Sequence, residues 1–211
     1  MQAVRHLGRA YAFLASLLLM SLASAAAAPA YAATSTQDVV LAGGCFWGMQ
    51  AVFEQLRGVT KVVAGYAGGS AATAHYEIVS TGLTGHAESV EITYDPSQIS
   101  FQDILDVYFL VAHDPTELNR QGPDDGHQYR SEIYYTTREQ RTTALATIAR
   151  LQRQHVFSGP IVTLIAALPA FYPAEAYHQD FVTHHPDYPY VVENDLPKLQ
   201  ALHERFPQLV R

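Results

Sequence analysis

The hexapeptide Gly43-Gly44-Cys45-Phe46-Trp47-Gly48 constrains this chain more than any other stretch, because it holds the only cysteine and the only tryptophan in 211 residues. Upstream, Asp38-Val39-Val40-Leu41-Ala42 is a β-branched run suited to a buried strand. Downstream, Met49, Val52, Phe53 and Leu56 recur at helical spacing and predict a helix over about 46–57. The cysteine is therefore expected on a strand-to-helix turn. Two glycines allow a sharp turn with room for a ligand, and the unpaired N–H groups of a first helical turn favour negative charge. A free cysteine ionises at about 8.5 and more readily at a helix N-terminus, so the turn predicts a nucleophilic thiolate near neutral pH. The alternative for a lone cysteine is a buried, inert thiol. The glycines and aromatic neighbours weigh against it.

In chain order, Val59 to Tyr66 reads as a second strand, with Gly65 to Ser70 loosening into a loop. Tyr76-Glu77-Ile78-Val79 suggests a short extended piece, and His86 to Tyr94 the third strand. Ser100 caps a helix whose apolar stripe is Ile104, Leu105, Val107, Tyr108 and Val111. His113 to Gln128 is long, polar and without a period, as functional loops are. A strand at Ser131–Tyr135, a helix over about 138–154 and a strand at Ile161–Ile165 follow. Beyond Phe171 a segment rich in Pro, Tyr and His wraps the body, with short helices near 174–181 and 196–206. This order predicts an α+β fold: a two-layer sandwich on a ferredoxin-like βαββαβ core, with a mostly antiparallel mixed sheet, helices packed on it and a long C-terminal wrapping segment.

Arg5 and Arg9 precede a leucine- and alanine-rich stretch, and small residues continue through Ala33. This is the order of a secretory signal peptide over residues 1–32, cut after Ala30-Tyr31-Ala32. Residues 33–211 are then a single catalytic domain, exported to the periplasm. Without residues 1–32 the chain carries 11 basic against 20 acidic side chains. That balance excludes nucleic acid as a natural partner, and no basic helix predicts stable membrane association. A single cysteine forms no internal disulfide, so a reactive thiol must answer to something outside the chain.

Position selects among ten histidines and twenty carboxylates. Glu88 shares a strand face with Val90 and Ile92, where desolvation raises a carboxyl pKa and makes it an acid at neutral pH. The alternative is an edge glutamate reaching solvent. Tyr76 and Tyr129 border the loops around it and could donate to a substrate oxygen, although most of the thirteen tyrosines must serve packing. His155, His178, His184 and His185 lack metal-ligand spacing, and no metal is expected. His113, before Asp114-Pro115, suits turn chemistry.

Four further stretches extend the pattern: Gly82-Leu83-Thr84-Gly85-His86-Ala87-Glu88, His113-Asp114-Pro115-Thr116, Gln121 to Ser131, and Ala174-Glu175-Ala176-Tyr177-His178-Gln179. With the cysteine turn, and in this order, they resemble the A-type peptide methionine sulfoxide reductases from about Val39 to the C-terminal tail. The resemblance implies reduction of methionine-(S)-sulfoxide, free or in peptides and proteins. It makes Cys45 the nucleophile, Glu88 the proton donor, and Tyr76 and Tyr129 hydrogen-bond donors to the sulfoxide oxygen. Asp124 matches the family's loop aspartate near the substrate, and Phe46 and Trp47 match its methyl-binding wall. Many members carry further cysteines near the C-terminus, and this chain has none. Turnover is therefore expected to depend on an external thiol such as a thioredoxin-like protein, glutathione or glutaredoxin, and the protein is expected to bind no cofactor and to act as a monomer. Two other readings compete: a cysteine hydrolase or acyl transferase with His86 or another histidine as base, and a non-enzymatic thiol or metal store.

Overall fold

The computed structural model describes residues 35–211, so the signal-peptide segment lies outside the described residues. Strand β1 (Gln37–Ala42) runs into helix α1 (Phe46–Glu54), and β2 (Val59–Ala67) follows. A one-turn helix α2 (Tyr76–Val79) precedes β3 (Ala87–Tyr94), which inserts between β1 and β2 and pairs antiparallel with both, placing Val90 opposite Leu41 and Glu88 opposite Tyr66. Helix α3 (Phe101–Val107) starts at a capping box between Ser100 and Asp103 and continues into a π-helical turn, Tyr108–Ala112. The long polar loop carries a minimal hairpin, β4 (Arg120–Gln121) and β5 (Asp124–Asp125).

The chain then adds β6 (Glu132–Tyr135) antiparallel to β1, helix α4 (Arg138–Arg153), and β7 (Leu164–Ala167) parallel to β6. Strand β8 (Phe171–Pro173) closes the far edge on β2. The sheet order is β7-β6-β1-β3-β2-β8, and its inner four strands form the expected ferredoxin-like arrangement. Alternation along β1 divides the core. Leu41 faces Met49, Val52 and Phe53 of α1 and Leu105, Tyr108 and Phe109 beneath the helical layer, while Val40 and Ala42 face a smaller cluster with Ala87 and Tyr134.

Local expectations are corrected in four places. Tyr76–Val79 is helical rather than extended, because the Glu175 carboxylate accepts the Tyr76 N–H at 3.0 Å and so serves its exposed N-terminus from far along the chain. Helix α1 stops at Glu54, as the chain turns to meet the C-terminal tail through an Arg57 N–H to Leu209 carbonyl bond. The strand expected at Ile161–Ile165 begins only at Leu164 and is a half-exposed edge strand, since the Val162 N–H is taken by the Pro115 carbonyl and the Thr163 hydroxyl bonds Ser131. The helix expected near 174–181 is a short 3-10 turn, Ala176–His178, followed by α5 (Phe181–His184). The tail ends in a second π-helical turn, Val191–Asp195, and α6 (Leu196–Arg205).

Candidate active site

Cys45 is the N-cap of α1, and its side chain makes no capping bond to the helix. Gly44 adopts φ +90, and a Cβ there would stand 2.6 Å from Gln121 Cγ. Glycine thus permits both the left-handed turn and the close approach of the long loop. One N–H group of the first helical turn is aimed at the chemistry: Phe46 N–H donates to Glu88 Oε2 at 3.2 Å. Strand β3 delivers Glu88 from the opposite wall, 2% exposed.

Burial governs the protonation of both groups. It lifts the Glu88 carboxyl from 4.5 to about 8 against the Phe46 bond, and the charge of Asp124 adds to the rise. The expectation of a thiolate in the free site is overturned. Cys45 is 8% exposed, and desolvation, then the charges of Glu88 and Asp195, push its pKa well above 9.0. The Trp47 N–H and Lys198 oppose that rise without cancelling it. A helix N-terminus alone is too weak to ionise a thiol from which water is excluded. At neutral pH the free site therefore holds a thiol beside a neutral carboxylic acid.

All seven residues singled out in the sequence line one cavity of about 190 Å³, the space of about six waters in bulk. Tyr76 enters from α2 and Tyr129 from the end of a 3-10 turn, His127–Tyr129. Burial raises both phenols, Tyr76 to about 12, so each keeps the proton it can donate. Asp124 projects from the small hairpin, and Phe46 and Trp47 supply the apolar wall. His86 is elsewhere: Gly69 N–H donates to its Nδ1 at 3.2 Å, and its Nε2 meets the Ser70 carbonyl at 3.0 Å. Both ring nitrogens are spent on a loop, so His86 is not placed to serve Cys45 as a base. Among the described residues, no three or more His, Cys, Asp and Glu side chains converge as a metal site.

The remaining lining comes from the tail, whose part is hidden in the sequence. Tyr188 and Tyr190 complete the cavity, and the Tyr190 hydroxyl donates to Asp124 Oδ2. Phe181 stacks on Trp47 with ring centroids 3.7 Å apart, and the indole N–H donates to His178 Nδ1 at 3.1 Å. Glu175 accepts both the Tyr76 N–H and the Tyr66 hydroxyl. The density of Tyr and His in the tail is the one sequence signal for these roles, and it does not single out a residue.

A ferredoxin-like sheet presenting a thiol, a neutral buried acid and two phenols to a cavity the size of one side chain defines a thiol-dependent enzyme. The family model for peptide methionine sulfoxide reductase matches residues 37–209. The chain is 53% identical to peptide methionine sulfoxide reductase MsrA 2 of Mesorhizobium japonicum, over 84% of this chain and 91% of that protein. It is 52% identical to MsrA 2 of Synechocystis, over 82% and 81%. Among solved structures it is similar to Mxr1 from Saccharomyces cerevisiae in reduced form, with TM-score 0.69, 30% identity and coverage of 75% of this chain and 90% of that one. Methionine sulfoxide reductase A of Corynebacterium diphtheriae gives TM-score 0.63 and 33% identity, with coverage of 72% and 76%. The chain belongs to the A-type peptide methionine sulfoxide reductases. It is thus a peptide-methionine (S)-S-oxide reductase, an oxidoreductase that reduces methionine sulfoxide and serves protein repair.

Proposed function

We propose that Cys45 performs this reduction as nucleophile, with Glu88 as the acid that protonates the sulfoxide oxygen. The observation that carries the reading is the shared cavity of a thiol and a carboxyl held neutral to about pH 8 by burial. A sulfoxide sulfur is electrophilic, but its oxygen leaves poorly until it is protonated. The thiol first loses its proton to solvent, and the thiolate attacks that sulfur as Glu88 gives its proton to the oxygen, while Tyr76 and Tyr129 donate hydrogen bonds to it. The sulfoxide S–O bond breaks, the oxygen passes with its proton to Cys45, and the ionised Glu88 takes a proton back from solvent. The products are methionine, its sulfur reduced by two electrons, and a Cys45 sulfenic acid. Phe46 and Trp47 hold the methyl group, and Asp124 orients the polar end of the substrate.

Cys45 is the chain's only cysteine, so the sulfenic acid is resolved by an external thiol, either a thioredoxin-like protein or glutathione with glutaredoxin. One chain supplies every group of the cavity, which supports action as a monomer. The composition of residues 1–32 supports export to the periplasm. The decisive experiment is a mass measurement after exposure to methionine-(S)-sulfoxide without reductant. It is expected to give one added oxygen on Cys45 and one methionine released per protein, and Cys45→Ser is expected to give neither. Methionine formation by the serine variant would sink the proposal.

A further inference from the structure

The chemistry above leaves unused a buried ion pair that lies against the helix carrying the thiol. Asp195 closes the Val191–Asp195 turn at the start of α6 and is fully buried. Lys198 Nζ donates to its Oδ1 at 3.2 Å, while its Oδ2 is buried without a partner among the described residues. A half-served buried carboxylate is costly, so a purely structural pair would be better replaced by apolar side chains. The pair sits on Gly48. A Cβ there would stand 2.1 Å from Asp195 Oδ1 and 2.9 Å from Lys198 Nζ. Gly48 lies in the first turn of the helix that Cys45 caps, three residues after the thiol, so the pair packs beside that turn. Charges near a partly buried group act on it more strongly than they would in water.

We propose that Asp195 and Lys198 form an electrostatic tuning pair for the Cys45 thiol, the ammonium favouring its ionised form and the carboxylate opposing it. Both are positioning residues, acting through the thiol. The other titratable groups facing Cys45 are Glu88 from β3, Tyr76 from α2, Asp124 and Tyr129 from the long loop, and Tyr188 and Tyr190 from the tail. The shifts at the sulfur have the corresponding signs, with Asp195 raising its pKa and Lys198 lowering it. Gly48 has no side chain because the pair occupies that space.

The inference rests on Cys45 as the reacting group, but its test does not require sulfoxide chemistry. The pH dependence of Cys45 alkylation by iodoacetamide, measured on the full chain, reads thiol ionisation directly. Lys198→Met is expected to move the profile to higher pH, with alkylation at pH 8 about tenfold slower for a one-unit shift. Lys198→Arg is expected to restore it, and Asp195→Asn to move it to lower pH. Loss of a merely structural contact does not produce opposite shifts. Unshifted profiles, or shifts of one sign in proteins with native near-UV circular dichroism, would overturn the proposal. If Asp195→Asn does not fold, the lysine variants decide, and a Met shift that Arg fails to reverse overturns it. Opposite shifts in proteins that form no methionine would sustain the pair while sinking the reductase chemistry.

Discussion

At Glu88 the wall of a strand becomes a proton store, and the cost appears in stability. Burial raises its pKa from 4.5 to about 8, so between those values the native protein holds a proton that the unfolded chain has released. The stability linked to that proton is fully present below about pH 4.5 and is lost as pH rises through about 8. Glu88→Gln has no proton to lose. Thermal melts are expected to show the variant gaining on the parent chain by a few kcal/mol between pH 5 and 8 and levelling above that, whereas parallel curves would contradict buried, neutral Glu88. Activity should move the other way, with kcat/KM of Glu88→Gln lower by about 10²–10⁴, the usual worth of a positioned acid. The reacting pair needs one proton between thiolate and carboxylic acid, yet the free site holds two. Steady-state kinetics of the parent chain should therefore show kcat/KM rising through about pH 8, where the first proton leaves.

Elements built from local pattern were legible in the sequence. The β-branched runs of β1 and β3, the Ser100 cap and the apolar stripe of α3 each depend on neighbouring residues. Helix α2 was not, because the carboxylate at its N-terminus belongs to Glu175, 99 positions away. Loop placement is equally non-local. Arg130 Nε meets Glu132 at 2.6 Å, and its guanidinium also donates to the Gly85, His86 and His127 carbonyls. One buried arginine thereby ties the loop entering β3 to the turn that carries Tyr129. Arg130→Met would strand the Glu132 carboxylate in the interior, at about 3–5 kcal/mol in urea unfolding. Restoring neutrality with Glu132→Gln in the same chain is expected to recover much of that loss, and simple additivity of the two substitutions would argue against a coupled pair.

Over the whole molecule, the tail closes a cavity that the sheet and α1 only begin. Tyr188 and Tyr190 line it, Phe181 backs Trp47, and Asp195 with Lys198 sits beneath Gly48. A chain with no second thiol should leave the oxidised form of Cys45 persistent. After a single turnover the added oxygen is expected to remain until a thiol is supplied, then to give way to a mixed disulfide, both followed by intact mass. Spontaneous return to the reduced mass without any thiol would contradict this. The sequence by itself determined the order of the central elements and the absence of a second cysteine, because periodicity, turn residues and cysteine count are local or compositional; it pointed to the seven cavity residues chiefly through the family resemblance. The protonation of Cys45 was decided only by tertiary structure, whereas the strand pattern already pointed to a neutral Glu88. A pKa follows from the water excluded and the charges brought near, and here those come from β3, the long loop and a tail that begins more than a hundred residues after the thiol.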